Sequence, residues 1–269
     1  MCELLGMSAN VPTDICFSFA GLSRRGGATG PHADGWGIVF YEQSGVREFK
    51  DYLPSSGSQL SQLLSEYPIK SHIVISHIRQ ANVGGVGLEN THPFQRELWG
   101  QAWTCAHNGQ VPSAAGLETT RFVPIGSTDS ERLFCWLLDR LAAKFDAPPE
   151  PRAWAEYLGT LCESINARGV FNLLLSNGKA LFTFCSTKLS WITRRAPFGV
   201  AHLSDRDLTV DFAQVTTEHD VVTVIATQPL TKNEQWHIMA PGECRLFVAG
   251  DSVWERYTAP VSHAPAGSP

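Results

Sequence analysis

The sequence predicts a layered sandwich in which two β-sheets pack face to face and helices cover their outer surfaces. Three observations predict it. Strand-like runs crowd both ends of the chain, a pair of amphipathic helices occupies the middle, and no repeat or convincing linker interrupts the 269 residues. A chain of 29.5 kDa can bury one large core, so a single domain over residues 2–258 is expected. Residues 259–269 hold too little apolar content to pack and read as a disordered tail.

The elements follow in order. Cys2 to Met7 is a short apolar run suited to a buried strand. Thr13 or Asp14 can cap a helix whose apolar face is Ile15, Phe19 and Leu22. A glycine-rich segment, 24–30, ends it. Trp36 to Tyr41 and Val46 to Phe49 read as a hairpin about Gln43-Ser44-Gly45. Leu60 to Tyr67 reads as a helix and Ile73 to Ile78 as a β-branched strand, followed by a loop from Asn82 to Asn90. Ala102 to Ala106 is expected to be a strand that stops at His107-Asn108-Gly109. The clearest helix runs from Asp129 to Lys144, with Thr128 and Glu131 as a capping box and Leu133, Leu137 and Leu141 as its stripe. Prolines 148, 149 and 151 separate it from a second helix, Trp154 to Ala167. Strands then follow at Val170–Leu175, Leu181–Cys185, Val221–Thr227, Cys244–Val248 and Ser252–Tyr257, the last two joined at Gly250-Asp251.

Composition narrows the chemistry. With 43% hydrophobic and 17% charged residues the chain is ordinary globular protein. A formal net charge of −5 argues against nucleic-acid or anionic-membrane partners. No apolar run approaches the ~18 residues of a membrane span, and no basic n-region precedes one. Seven cysteines at 2, 16, 105, 135, 162, 185 and 244 form no CxxC pair. That odd, scattered set is neither a disulfide framework nor a zinc site, and a cytoplasmic location is expected. Nine histidines supply no HExxH, and no phosphate or dinucleotide loop is present. No metal and no cofactor are expected.

Cys2 is the most informative residue. Removal of Met1 makes it the N-terminus and gives it a general base of its own. The freed α-amine, with a reference pKa of roughly 7.7–8.0, sits a few bonds from a thiol near 8.5. A modest proton shift then yields an attacking thiolate.

Five segments matter together, the first containing Cys2 itself: Met1-Cys2-Glu3-Leu4-Leu5-Gly6, Ala33-Asp34-Gly35-Trp36-Gly37, His77-Ile78-Arg79-Gln80-Ala81, His107-Asn108-Gly109 and Ser127-Thr128-Asp129-Ser130-Glu131. In this order and at these separations they resemble the class II glutamine amidotransferases, members of the N-terminal nucleophile hydrolases. The resemblance spans Cys2 to Leu141 and continues loosely to Pro241-Gly242-Glu243. It implies an α+β fold, a four-layer αββα sandwich with two mostly antiparallel sheets.

The resemblance also implies roles. Cys2 would attack a γ-glutamyl amide carbon to form a thioester, releasing ammonia or an amine, with its α-amine as base and then acid. Asn108 and Gly109 would supply the oxyanion donors. Arg79 would grip the substrate α-carboxylate through its planar fork. Asp129 and the Gly109 carbonyl would accept from the α-ammonium, though Asp129 also favours the helix dipole. His92, in Asn90-Thr91-His92-Pro93, corresponds to a family turn with a secondary role. Arg25, in Arg25-Gly26, would either lower the thiol pKa or simply be exposed.

Gln80 departs from the Trp that synthases often carry after the carboxylate-binding Arg, and the Asp34-Gly35-Trp36-Gly37 form resembles small stand-alone members. Three readings stay open: a glutaminase acting alone or feeding a separate synthase subunit, a γ-glutamyl peptide hydrolase, and a non-catalytic binding or regulatory subunit.

Overall fold

β1 (Glu3–Thr13) is buried without interruption from Glu3 to Ala9, as a strand enclosed on both faces must be. The computed structural model, which describes residues 2–81 and 84–261, makes it the central strand of a seven-stranded sheet. β4 (Ser71–Ile78) and β12 (Val222–Ala226) pair with it antiparallel on either side. Beyond β4 lie β2 (Trp36–Glu42) and β3 (Gly45–Asp51). Beyond β12 lie β9 (Ser190–Arg194) and β13 (His237–Ile238).

A second, six-stranded antiparallel sheet contains β5 (Phe94–Leu98), β6 (Gln101–Gln110), β7 (Val170–Ser176), β8 (Leu181–Phe184), β14 (Glu243–Val248) and β15 (Asp251–Tyr257). Their order across the sheet is β15-β14-β8-β7-β6-β5. β10 (Val200–His202) and β11 (Thr209–Asp211) form a separate pair.

Three apolar clusters make the layers. Leu4, Val39 and Ile75 of the first sheet meet Ala106, Leu174 and Phe247 of the second between the sheets. On the outer face of the first sheet, Phe19 and Leu22 of α1 (Cys16–Arg24) and Leu64 of α2 (Gln59–Glu66) cover Leu5, Met7 and Val224. On the outer face of the second, Leu133, Leu137 and Leu141 of α3 (Asp129–Lys144) and Trp154 and Leu158 of α4 (Pro151–Asn166) cover Trp103, Phe171 and Phe182. The order helix, sheet, sheet, helix is the expected αββα sandwich. Alternate residues of β1 serve the two clusters, as the period of two requires. Gly6 keeps the sheets close: a Cβ there would stand 3.1 Å from Leu181 and 3.2 Å from Leu174.

Several details differ from expectation. β6 does not stop before His107 but runs through Gln110, pairing Asn108 with Asn172 and Gly109 with Phe171. The polar tripeptide is thus strand, not turn. Tertiary pairing overrides the weak strand propensity of Asn and Gly. The capping box closes on one side only: Thr128 Oγ1 accepts from the Glu131 N–H at 3.2 Å. The Glu131 carboxylate turns instead to Arg96 and the Gly126 N–H, each at 2.6 Å. Helix α1 has Ile15 at its N-cap, with Asp14 accepting from the Cys16 N–H at 3.2 Å and Thr13 closing β1. α4 starts at Pro151, one turn before the expected Trp154, because proline's fixed φ suits the first helical position. β5, β9, β10, β11 and β13 carry mixed short patterns that gave no period-two signal.

All seven cysteines are unpaired. Among the described residues no helix is long and apolar enough to cross a membrane.

One buried hydroxyl ties the sheets together. Tyr41 on β2 donates across the interface to the Ser176 carbonyl at 2.8 Å. Its oxygen also lies 2.8 Å from Thr104 Oγ1. Burial pushes the phenol pKa up, so it remains a neutral donor. Tyr41→Phe should destabilise the fold by about 1–2 kcal/mol through the lost hydrogen bond. Denaturant titration would read this as a lower midpoint with an unchanged slope.

Candidate active site

Register places the nucleophile candidate. Glu3 pairs with Ile78 across β1 and β4, so Cys2, one residue earlier, meets the chain just past the end of β4. There its Sγ lies 3.5 Å from the Gln80 carbonyl and accepts from the Gln80 N–H at 3.3 Å. Burial pushes the thiol pKa up; the Gln80 hydrogen bond and the Arg79 charge oppose that, and Glu3 adds to it. Met1, whose removal the sequence reading requires, lies outside the described residues.

The Asp34-Gly35-Trp36-Gly37 motif holds this strand end in place. Arg79 donates its N–H to the Gly35 carbonyl at 2.8 Å, and its carbonyl accepts from Asp34 at 3.1 Å. Asp34 Oδ2 accepts from the Ala81 N–H at 2.8 Å. Gly35 turns with φ 118°, a conformation side chains resist. The motif thus acts as a clamp on residues 79–81.

The second sheet and α3 supply the opposite wall. A cavity of about 30 Å³ is lined by Cys2, Arg79, Gln80, His92, His107, Gly109, Gln110, Thr128, Asp129 and Ser130. That space holds about one water molecule. The structure therefore brings together Cys2, Arg79, His92, Gly109 and Asp129 from five separate chain segments. Asn108 does not line this cavity. It is buried one residue along β6, its Oδ1 without a hydrogen-bond partner among the described residues.

Each charged group is already engaged. Arg79 is buried, and its guanidinium donates to the Gly85 carbonyl at 3.0 Å and the Gly84 carbonyl at 3.3 Å. Burial lowers its pKa while Cys2, Asp34 and Glu89 oppose that; a guanidinium stays charged regardless. Asp129 accepts from the Val111 N–H at 2.8 Å and the Ser130 N–H at 2.9 Å. Both oxygens are thus fixed at the head of α3.

Arg25 lies elsewhere than expected. It is neither exposed nor on the cavity wall, but buried in ion pairs with Glu3 at 2.8 Å and Asp205 at 2.9 Å. Its remaining N–H groups reach the Gln228 and Pro229 carbonyls. Glu3, buried beside Cys2, requires a partner charge, and Arg25 supplies it.

Three further groups, His77, His107 and Ser130, went unassigned from sequence although all three sat inside quoted motifs. His77 and His92 stack with ring centroids 4.2 Å apart, and burial lowers both pKa values well below the ordinary histidine range. His107 lies 2.8 Å from Ser130 Oγ and 3.2 Å from the Val170 carbonyl. The signal for each was its place in a motif: His77 in His-x-Arg, His107 in His-Asn-Gly and Ser130 directly after Asp129. Among the described residues no three His, Cys, Asp or Glu side chains converge as metal ligands.

Comparison with known proteins identifies the family. The family model for class II glutamine amidotransferases matches residues 1–268. The glutamine amidotransferase-like protein YafJ of Escherichia coli (strain K12) is 59% identical over 254 residues, 94% of this chain and 100% of YafJ. A glutamine amidotransferase-like protein of Haemophilus influenzae is 44% identical over 95% of this chain and 87% of its own length. A crystal structure from Pseudomonas aeruginosa PA01, described as a glutamine amidotransferase, is 52% identical. It covers 94% of this chain and all of its own, with a TM-score of 0.75. The glutamine phosphoribosylpyrophosphate amidotransferase of Bacillus subtilis shares the fold at 14% identity and TM-score 0.61, over 95% of this chain and 49% of its own. The chain belongs to the class II glutamine amidotransferases.

Proposed function

We propose that this chain is an N-terminal-cysteine amidohydrolase that cleaves the γ-amide of glutamine or of another γ-glutamyl compound through a thioester. The observation that carries the reading is a thiol, a guanidinium and a carboxylate facing one cavity: Cys2, Arg79 and Asp129. Opposite charges on either side of a nucleophile suit a free amino-acid head with an electrophilic side chain between them.

In this reading Cys2 Sγ attacks the amide carbon as the α-amine, freed by loss of Met1, takes the thiol proton. The oxyanion is held by the Gly109 N–H and by the Asn108 amide, which lies outside the small cavity and reaches the oxyanion only when that cavity enlarges. The α-ammonium returns the proton to the departing nitrogen, and ammonia or an amine leaves. Water then hydrolyses the thioester to a free γ-carboxylate. Arg79 binds the α-carboxylate in place of the Gly84 and Gly85 carbonyls, and that exchange enlarges the cavity. His92 supports the wall by packing on His77. We assign one domain to residues 2–258, with 259–269 outside it, and a cytosolic location consistent with seven unpaired thiols.

The same site also supports a γ-glutamyl peptide hydrolase. Gln80, rather than a bulky aromatic, stands at the cavity wall and leaves room for a larger leaving group. Ammonia released from glutamine would serve a separate synthase or none.

A glutamine-analogue electrophile should add once, to Cys2, on a chain lacking Met1, as intact mass would show; Cys2→Ala should abolish both adduct and turnover. An unlabelled, fully processed chain would refute the reading. Turnover of glutamine against γ-glutamyl dipeptides separates the two substrates.

Arg79→Lys should raise KM at least tenfold, since one ammonium cannot reproduce two parallel charge-assisted hydrogen bonds. Because burial holds the Cys2 thiol above its ordinary value, its thiolate fraction at pH 7 is smaller than a free cysteine's. Iodoacetamide alkylation of Cys2 should therefore accelerate with rising pH and reach no plateau below about 8.5.

A further inference from the structure

Gly109 and His107 share an unexplained feature. A Cβ at Gly109 would fall inside van der Waals contact of the Val170 carbonyl oxygen and 2.9 Å from His107 Nε2. The hydrogen bond between that nitrogen and that oxygen, 3.2 Å long, therefore runs through space only glycine leaves empty.

The bond has a consequence for the cavity. A carbonyl oxygen accepts only, so His107 Nε2 carries the proton. In a neutral imidazole Nδ1 then bears a lone pair. Ser130 Oγ, 2.8 Å from Nδ1, must donate to it. Its other acceptor, Asp129 Oδ1, stands at 3.4 Å and competes poorly. With its hydrogen spent on His107, the Ser130 oxygen offers only lone pairs to the cavity that it lines beside Asp129.

We infer that Ser130 is a second acceptor for the substrate α-ammonium and that His107 is the positioning residue that fixes its hydroxyl in the accepting direction. Two oxygens with no proton to offer, Asp129 carboxylate and Ser130 hydroxyl, then discriminate for a free α-amino group. This rests on the γ-glutamyl reading above and extends it to the choice of substrate head.

The test measures kcat and KM on glutamine and on its analogue lacking the α-amino group. Wild type, Ser130→Ala, His107→Leu and His107→Asn are compared. Ser130→Ala should raise KM for glutamine about tenfold, the size of one hydrogen bond to a charged group, with a smaller change in kcat. Its preference for glutamine over the deamino analogue should narrow by the same factor. His107→Leu should match it, and His107→Asn, whose amide oxygen can accept from Ser130, should recover most of the loss. A purely structural role for Ser130 would move both substrates equally. An active wild type whose Ser130→Ala variant keeps the full preference for glutamine overturns this inference and leaves the γ-glutamyl reading intact. A wild type inert to every γ-glutamyl compound overturns both. Should His107→Leu fail to fold, the Ser130→Ala result alone decides.

Discussion

The antiparallel pairing of β1 with β4 is the constraint on which the rest of the molecule depends. Its register, Glu3 against Ile78, sets Cys2 beside the Arg79–Gln80 backbone. Slipping it by one residue would turn every β1 side chain to the opposite face. Slippage is opposed from both sides, because Leu4 is committed to the inter-sheet core while Leu5 and Met7 are committed to the core under α1 and α2. The position of Cys2 is therefore held by hydrophobic burial, far more than by any contact the sulfur makes itself.

Buried charge is managed in the same region. Glu3 adjoins Cys2 and raises its thiol pKa. Arg25 answers it, and Asp205 answers Arg25 in turn. Removing one member of such a chain leaves an uncompensated buried charge, which costs more than the pair is worth. This explains why Arg25 serves the scaffold beside Cys2 and not the cavity wall.

The opposite wall is built by a different logic. β6 brings His107 and Gly109 to the cavity wall, while Asn108 between them takes the face of Ala106, which packs with Leu4 between the sheets. The first turn of α3 then meets β6 through Asp129, which accepts from the Val111 backbone, and through Ser130, which reaches His107. Helix terminus and strand are joined by polar contacts in an otherwise apolar layer. That is where a cavity with charged walls can exist without breaking the core.

Much of this was legible in the sequence by itself. The helix at 129–144, the hairpin at 36–51 and the β-branched strand at 73–78 announce themselves through local period, caps and turn residues. Five short motifs in a fixed order identified the family, and four of the residues singled out in them, Cys2, Arg79, Gly109 and Asp129, line one cavity. Local pattern could not show that His107-Asn108-Gly109 continues a strand, since its partner β7 lies some sixty residues away and the pairing is non-local. Nor could it show that Arg25 faces Glu3, or that Glu131 turns from its cap to Arg96. Residue types and their spacing determine which chemistry is available; which side chain each one meets is decided by packing of distant segments, because burial energy acts on the whole chain at once.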